Sequence, residues 1–163
     1  MSRVKLVLVE PEIPSNTGNI IRLCANTGTD LYLIGPLGFH LNDKKMKRAG
    51  LDYLEYCNIR FYKSWENFWS CEMPDNSDCY ALTTKSVNSI YRLENNGNGW
   101  LFLGPETRGL SDIQKIRFKS QNLLRIPMLE DSRSLNLSNS AAIALYEFLR
   151  VSGFNNGNSK LLV

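Results

Sequence analysis

The chain has 163 residues, 43% of them hydrophobic and 21% charged, which is the composition of a globular protein with one sizeable core. No apolar run approaches the ~20 residues of a membrane span, and the opening MSRVKLVLVEPE, interrupted at Glu10, reads as a buried strand and not as a secretory signal. The net charge of +3, from 19 Lys and Arg against 16 Asp and Glu, leans toward anionic partners without by itself naming nucleic acid.

In chain order, Val4 to Glu10 is β-branched and apolar, as in a strand buried on both faces. A helical pattern follows from Asn16 to Asn26, with Asn16 or Thr17 as its N-cap. Ile20, Ile21, Cys24 and Ala25 fall at core-facing spacing, and Gly28 is placed to end the helix in the left-handed conformation. The Asn-Thr-Gly triplet at each end therefore brackets one helix and does not mark an internal repeat. Arg22 lies between the triplets, little more than a turn in, where a cation opposes the helix dipole. It is either a solvated arginine or one aimed at an anion.

Further strands are expected at Leu31 to Gly35, Asn58 to Tyr62, Cys79 to Thr84, Trp100 to Gly104 and Leu123 to Pro127. Further helices are expected at Asp43 to Gly50, Ser64 to Ser70, Ser111 to Phe118 and Ser138 to Val151. The Asp43 helix carries Lys44, Lys45, Lys47 and Arg48, a phosphate-binding patch or simply a solvated face. Strands alternating with helices specify an α/β fold, a mostly parallel sheet with helices on both faces. One domain is expected over residues 1–163, with the tail from about 153 to 163 flexible.

The single histidine, His40, sits in a loop-like stretch, which sets aside Ser-His-Asp, Cys-His and multi-His metal chemistry. Cys24, Cys57, Cys71 and Cys79 form no C-x-x-C pair, so they read as reduced, mostly buried thiols of a cytosolic protein, with no metal site.

Ligands of parallel sheets bind beyond the carboxyl ends of the strands. One such loop, LGPETRGL, lacks both the G-x-G-x-x-G fingerprint and the G-K-[ST] of a Walker loop. Gly104 and Gly109 in it permit close backbone approach to a ligand, and Glu106 suits a cation or a hydroxyl; the alternative is an ordinary strand-to-helix turn. Another, IPMLEDSRSLNLSN, offers Ser132, Ser134, Asn136 and Ser138 before a helix rich in small residues, suited to close packing within the domain or across a dimer. Residue types leave open whether Tyr146 and Glu147 belong to the surface or to a site.

Together NTGNIIR, GPETRGL and the stretch from Ile126 to Glu147 (IPM, then SRSLNLSNSAAIALYE) resemble, in order and separation, the three motifs of the SPOUT RNA methyltransferases. The similarity is greatest to the small tRNA (cytidine/uridine-34)-2′-O-methyltransferases of the TrmL type. It runs from LVEPEIPSNTGNIIRLCANTG through RAGLDY and ALTTK to LYE, nearly the whole chain. The resemblance implies a C-terminal trefoil knot, a rare exception to unknotted folds. It also implies S-adenosyl-L-methionine bound in the knot and leaving as S-adenosyl-L-homocysteine, no metal, and a homodimer with the tRNA anticodon stem-loop across both subunits. Leu82, Gly104, Ile126 and Ser134 fall at the family's cofactor contacts, with Glu106, Gly109, Met128, Leu135 and Asn136 beside them in the same loops. Arg22 matches the family's catalytic arginine. Asn16, Asn19, Lys44, Lys45 and Arg48 are the candidates for RNA contact. The implied reaction is 2′-O-methylation of the wobble nucleotide, position 34, a cytidine or modified uridine in leucine tRNAs, in the cytoplasm. The alternatives are a SPOUT enzyme acting elsewhere on tRNA or rRNA, an inactive RNA-binding module, and a nucleotide-binding oxidoreductase or hydrolase on an ordinary open sheet. The absent glycine fingerprint weighs against the last. Ser15 stands where relatives often have proline, and the Asn/Gly loop at Glu94 to Gly99 is individual to this chain.

Overall fold

The computed structural model describes residues 4–40, 51–93, 98–156 and 159–160. Strands β1 (Val4–Val9), β2 (Asp30–Ile34), β3 (Ile59–Tyr62), β4 (Cys79–Leu82), β5 (Gly99–Leu103) and β6 (Leu123–Leu124) form one sheet in the order β3-β2-β1-β5-β4-β6. Every pairing in it is parallel. Alternation along the strands divides the core into two layers. Val4, Leu6 and Leu8 of β1 join Leu31, Leu33, Leu101 and Leu103 on one face. Val7 and Val9 join Tyr32, Ile34, Trp100 and Phe102 on the other. Lys5 interrupts the apolar run of β1, but its ammonium lies 3.9 Å from the centroid of the Trp100 ring, so the charge rests on an aromatic face.

The aliphatic face is covered by helices α1 (Pro14–Thr27) and α4 (Leu137–Val151), which contribute Ile20, Ile21 and Cys24, and Ala141, Ala144, Leu145, Phe148 and Leu149. The aromatic face is covered by α2 (Trp65–Glu72), whose Phe68 and Trp69 pack with Trp100, Phe102 and Phe118. The expected α/β fold is observed. Ser64 caps α2, and Gly28 ends α1 at φ 63° in the left-handed region, its N–H donating to the Cys24 carbonyl.

Several boundaries differ from those the sequence suggests. Helix α1 starts at Pro14 with Ile13 as a cap residue that makes no side-chain cap bond, so Asn16 and Thr17 lie inside its first turn. The helix expected over Ser111 to Phe118 is the single turn α3 (Asp112–Lys115), closed by a Ser111–Gln114 capping box. Ile113 and Ile116 on it are about four-fifths exposed (81% and 80%), so no apolar face extends the turn, and only Phe118 reaches the core. Strand β6 is confined to the two residues that pair with β4. A short antiparallel pair, β7 (Asn155–Asn156) with β8 (Ser159–Lys160), follows α4. The helix expected at Asp43 to Gly50 lies outside the described residues; beyond it the chain makes a 3-10 turn over Leu51–Tyr56. His40 is exposed; Cys24, Cys57 and Cys79 are buried and Cys71 is exposed.

Candidate active site

Beyond the carboxyl ends of β4 and β5 lies a cavity of about 510 Å³, within the range of small-molecule sites. Its walls come from the segments after β4, β5 and β6 and from the start of α1. All nine residues expected to hold a cofactor are on these walls: Leu82, Gly104, Glu106, Gly109, Ile126, Met128, Ser134, Leu135 and Asn136. Leu82, Leu103, Ile126 and Met128 make an apolar side, and Lys85, Lys115 and Arg133 bring cationic groups to the rim. Lys115 is paired with Asp112 at 2.6 Å. Among the described residues no group of His, Cys, Asp and Glu could hold a metal ion.

The loop after β5 is clasped to the loop after β1 from both sides. The Glu106 carboxylate accepts from the Glu12 N–H at 2.7 Å, the Ile13 N–H at 3.1 Å and the Asn16 amide at 3.1 Å. It thereby holds the two residues that lead into α1 and the Asn16 side chain, and puts a negative charge at the positive end of the helix. In return the Glu12 carboxylate accepts from the Thr107 N–H at 3.0 Å, the Thr107 hydroxyl at 2.9 Å and the Arg108 guanidinium at 2.7 Å. Arg108 also pairs with Glu10, which leaves β1 at a positive φ of 48°. Burial pushes the Glu12 carboxyl up, but the Thr107 hydrogen bonds and the Arg108 charge outweigh it and hold the group below its ordinary value.

The third wall is tied into the same lattice. Asn136 caps α4, its side-chain oxygen accepting from the Ser138 N–H at 2.9 Å, while its amide donates to the Asn16 side-chain oxygen at 3.0 Å. Asn16 therefore bridges Glu106 to Asn136 and aligns the three motif-bearing segments. It is 5% exposed with both ends of its amide engaged, and it lies on the cavity wall.

The two loop glycines have different tasks. A Cβ on Gly104 would lie 2.3 Å from the Leu110 nitrogen and 2.5 Å from the Gly109 carbonyl carbon, so its bare backbone lets the loop close on itself beside the cavity that Gly104 lines. Gly109 holds φ at +65° with nothing within 4 Å of a built Cβ, so its backbone conformation is what requires glycine.

Arg22 is exposed and is not on the cavity wall. It lies six residues beyond Asn16 on α1, about 9 Å along the helix axis. Its guanidinium carbon sits 5.0 Å from the centroid of the Tyr53 ring. Asn19, one turn before it, is exposed. Lys44, Lys45 and Arg48 lie outside the described residues. Tyr146 is exposed, whereas Glu147 is buried and pairs with Arg150 through two hydrogen bonds of 2.9 and 2.8 Å, a structural ion pair. Sequence reasoning missed Glu12, Arg108 and Tyr53. The two acids of EPE, just ahead of a helix, were the available signal for the clasp.

A family model described as the SpoU rRNA Methylase family matches residues 3–146. A tRNA (cytidine(34)-2′-O)-methyltransferase from Burkholderia pseudomallei (strain 1106a) is 48% identical over 152 residues, 93% of this chain and 97% of that protein. A solved structure described as giving structural insights into the 2-OH methylation of C/U34 on tRNA matches with a TM-score of 0.83 at 38% identity, covering 93% of this chain and 91% of that one. The SpoU methyltransferase AviRb from Streptomyces viridochromogenes, in complex with the cofactor AdoMet, is 21% identical and shares the fold, with a TM-score of 0.79 over 92% of this chain and 61% of its own.

Proposed function

The chain belongs to the SpoU rRNA Methylase family, and on that premise we propose that it is an S-adenosylmethionine-dependent tRNA methyltransferase acting on the ribose 2′-hydroxyl of nucleotide 34. One observation carries the reading: a protein named for that activity matches 93% of this chain at 48% identity. The cavity supports it, because its apolar side suits a purine and its cationic rim suits the carboxylate of an amino-acid moiety. When bound, S-adenosylmethionine supplies a methyl group already activated on a sulfonium.

The protein's task is then to position the acceptor and to stabilise the charge that develops on it. Leu82, Ile126 and Met128 bind by contact, and the loop of Gly104 to Leu110, braced by Glu12, shapes the opposite wall. Arg22 stands off that wall, so it meets the nucleotide and not the cofactor. An arginine stays protonated in proteins and cannot serve as the base. It orients the RNA through a phosphate and stabilises the alkoxide as the 2′-hydroxyl proton leaves to water or to an RNA phosphate oxygen. The methyl group ends on the 2′-oxygen, and S-adenosylhomocysteine departs.

The remaining features of the reading are a single domain, a cytoplasmic location, leucine tRNAs as substrates, a homodimer and a C-terminal trefoil knot. Half-exposed Tyr146 on α4 and exposed Leu135 ahead of it are surfaces that a second copy would cover. The return of the chain from the sheet edge at β6 to α4, which packs on α1, is compatible with the knot. Isothermal titration with S-adenosylmethionine tests the site. Binding that persists in Arg22→Ala while methylation is abolished is the expected result; no binding to the wild type, or near-normal turnover of Arg22→Ala, overturns the reading.

A further inference from the structure

The stretch RAGLDY is absorbed by neither the cavity nor the clasp, and its last residue, Tyr53, is the one that touches Arg22. The guanidinium carbon stands 5.0 Å from the ring centroid, within the range of a cation–π contact. Among the described residues no ion pair of Arg22 is formed. Arg108 and Arg150 are different, each drawn into a carboxylate. An exposed arginine with no anchor samples many rotamers, and ordering it costs entropy. A ring beneath the guanidinium removes much of that freedom while leaving the N–H donors, which point outward in the guanidinium plane, open to an anion.

The ring is itself held. Tyr53 is half-buried in the 3-10 turn over Leu51–Tyr56 and packs against the aliphatic core. The turn is anchored at its far end by Cys57, which is buried in the same core layer as Cys24, two residues after Arg22 on α1. The Arg22 backbone is braced as well, its carbonyl accepting from the Asn26 amide at 2.8 Å. Both members of the pair thus rise from rigid supports, the condition for a preorganised cation.

We propose that Tyr53 is a positioning residue, an aromatic platform that holds the Arg22 guanidinium in the orientation that receives the RNA. The inference rests on the reading of Arg22 given above. Tyr53 touches no reacting atom. Its contribution is therefore expected in kcat with tRNA and not in cofactor affinity.

The test is steady-state methyl transfer to tRNA by wild type, Tyr53→Phe, Tyr53→Leu and Arg22→Ala, with S-adenosylmethionine affinity and Tm measured for each. Tyr53→Phe keeps the ring and is expected to keep kcat within about twofold, because the ring face and not the hydroxyl attracts the cation. Tyr53→Leu keeps apolar bulk without a ring and is expected to lower kcat by about threefold to thirtyfold, with cofactor affinity unchanged. A hydrophobic packing role would lower the Tm of Tyr53→Leu in step with its rate, whereas the platform role lowers kcat beyond any change in Tm. The proposal is overturned if Tyr53→Leu turns over like wild type, if Tyr53→Phe is as slow as Tyr53→Leu, or if Tyr53→Leu loses cofactor binding along with its rate. Near-normal turnover of Arg22→Ala removes the reading of Arg22 itself, whatever the Tyr53 variants do, so the two failures are distinguishable.

Discussion

Glu106 shows how much a single side chain contributes to this site without touching a reacting atom. It lies on the cavity wall, yet its carboxylate faces the start of α1 and accepts from two backbone N–H groups and the Asn16 amide. Removing an acceptor from partly buried donors leaves them unsatisfied, at a cost of about 1–3 kcal/mol. Glu106→Ala is therefore expected to lower unfolding free energy by about that amount in a urea titration. Glu106→Gln should recover part of it, since an amide offers one acceptor oxygen in place of two and carries no charge for the helix dipole. Equal stability of all three proteins would show that the helix start is satisfied by water. This clasp was not legible in the sequence, because the acceptor for the Glu12 N–H is 94 residues away. Local rules pointed instead to Asn16 or Thr17, which lie inside the helix. Arg22 was legible as an unusual charge near a helix start; its ring partner was not, because nothing in spacing relates position 22 to position 53.

Among elements, the strands were the most legible, since burial on both faces leaves near-continuous apolar runs such as VKLVLV. Two elements are shorter than expected: β6 spans only the residues opposite β4, after which Arg125 makes an isolated bridge to Ser89, and α3 is one turn with Ile113 and the following Ile116 in solvent. The loops after β1 and β5 act as one unit because each carboxylate binds the other's backbone. That unit is pH-dependent in a direction set by Glu12. Its carboxyl is held below the ordinary value of 4.5 in the folded chain. The stabilisation it provides is accordingly complete above that ordinary value and is lost as pH falls through the lower, folded value. Glu12→Gln is expected to be less stable than wild type at pH 7, with the difference narrowing as pH falls below the ordinary value of 4.5 and through the lower, folded one. A difference that stays constant from pH 7 to pH 3 would contradict the role of the ionised carboxylate.

On the scale of the whole molecule, the sheet brings three distant segments to one end of the fold, and hydrogen bonds from Glu106 through Asn16 to Asn136 hold them together. The sequence carried the identity of those segments, and all nine residues expected at the cofactor site line one cavity. It did not carry the contacts that shape the walls. Asn16 and Gly104 line the cavity and also brace its loops, because their burial and close contacts arise only once the loops are docked. The arginine stands apart from the cavity on the exposed side of α1, so under the proposed function the cofactor and the RNA would meet different surfaces of the molecule. The most direct test of this account is transfer of labelled methyl from S-adenosylmethionine to bulk tRNA, followed by mapping of the modified nucleotide. Label on the ribose 2′-oxygen of nucleotide 34 is the result the account predicts; label on a base, label outside the anticodon, or no transfer would contradict it.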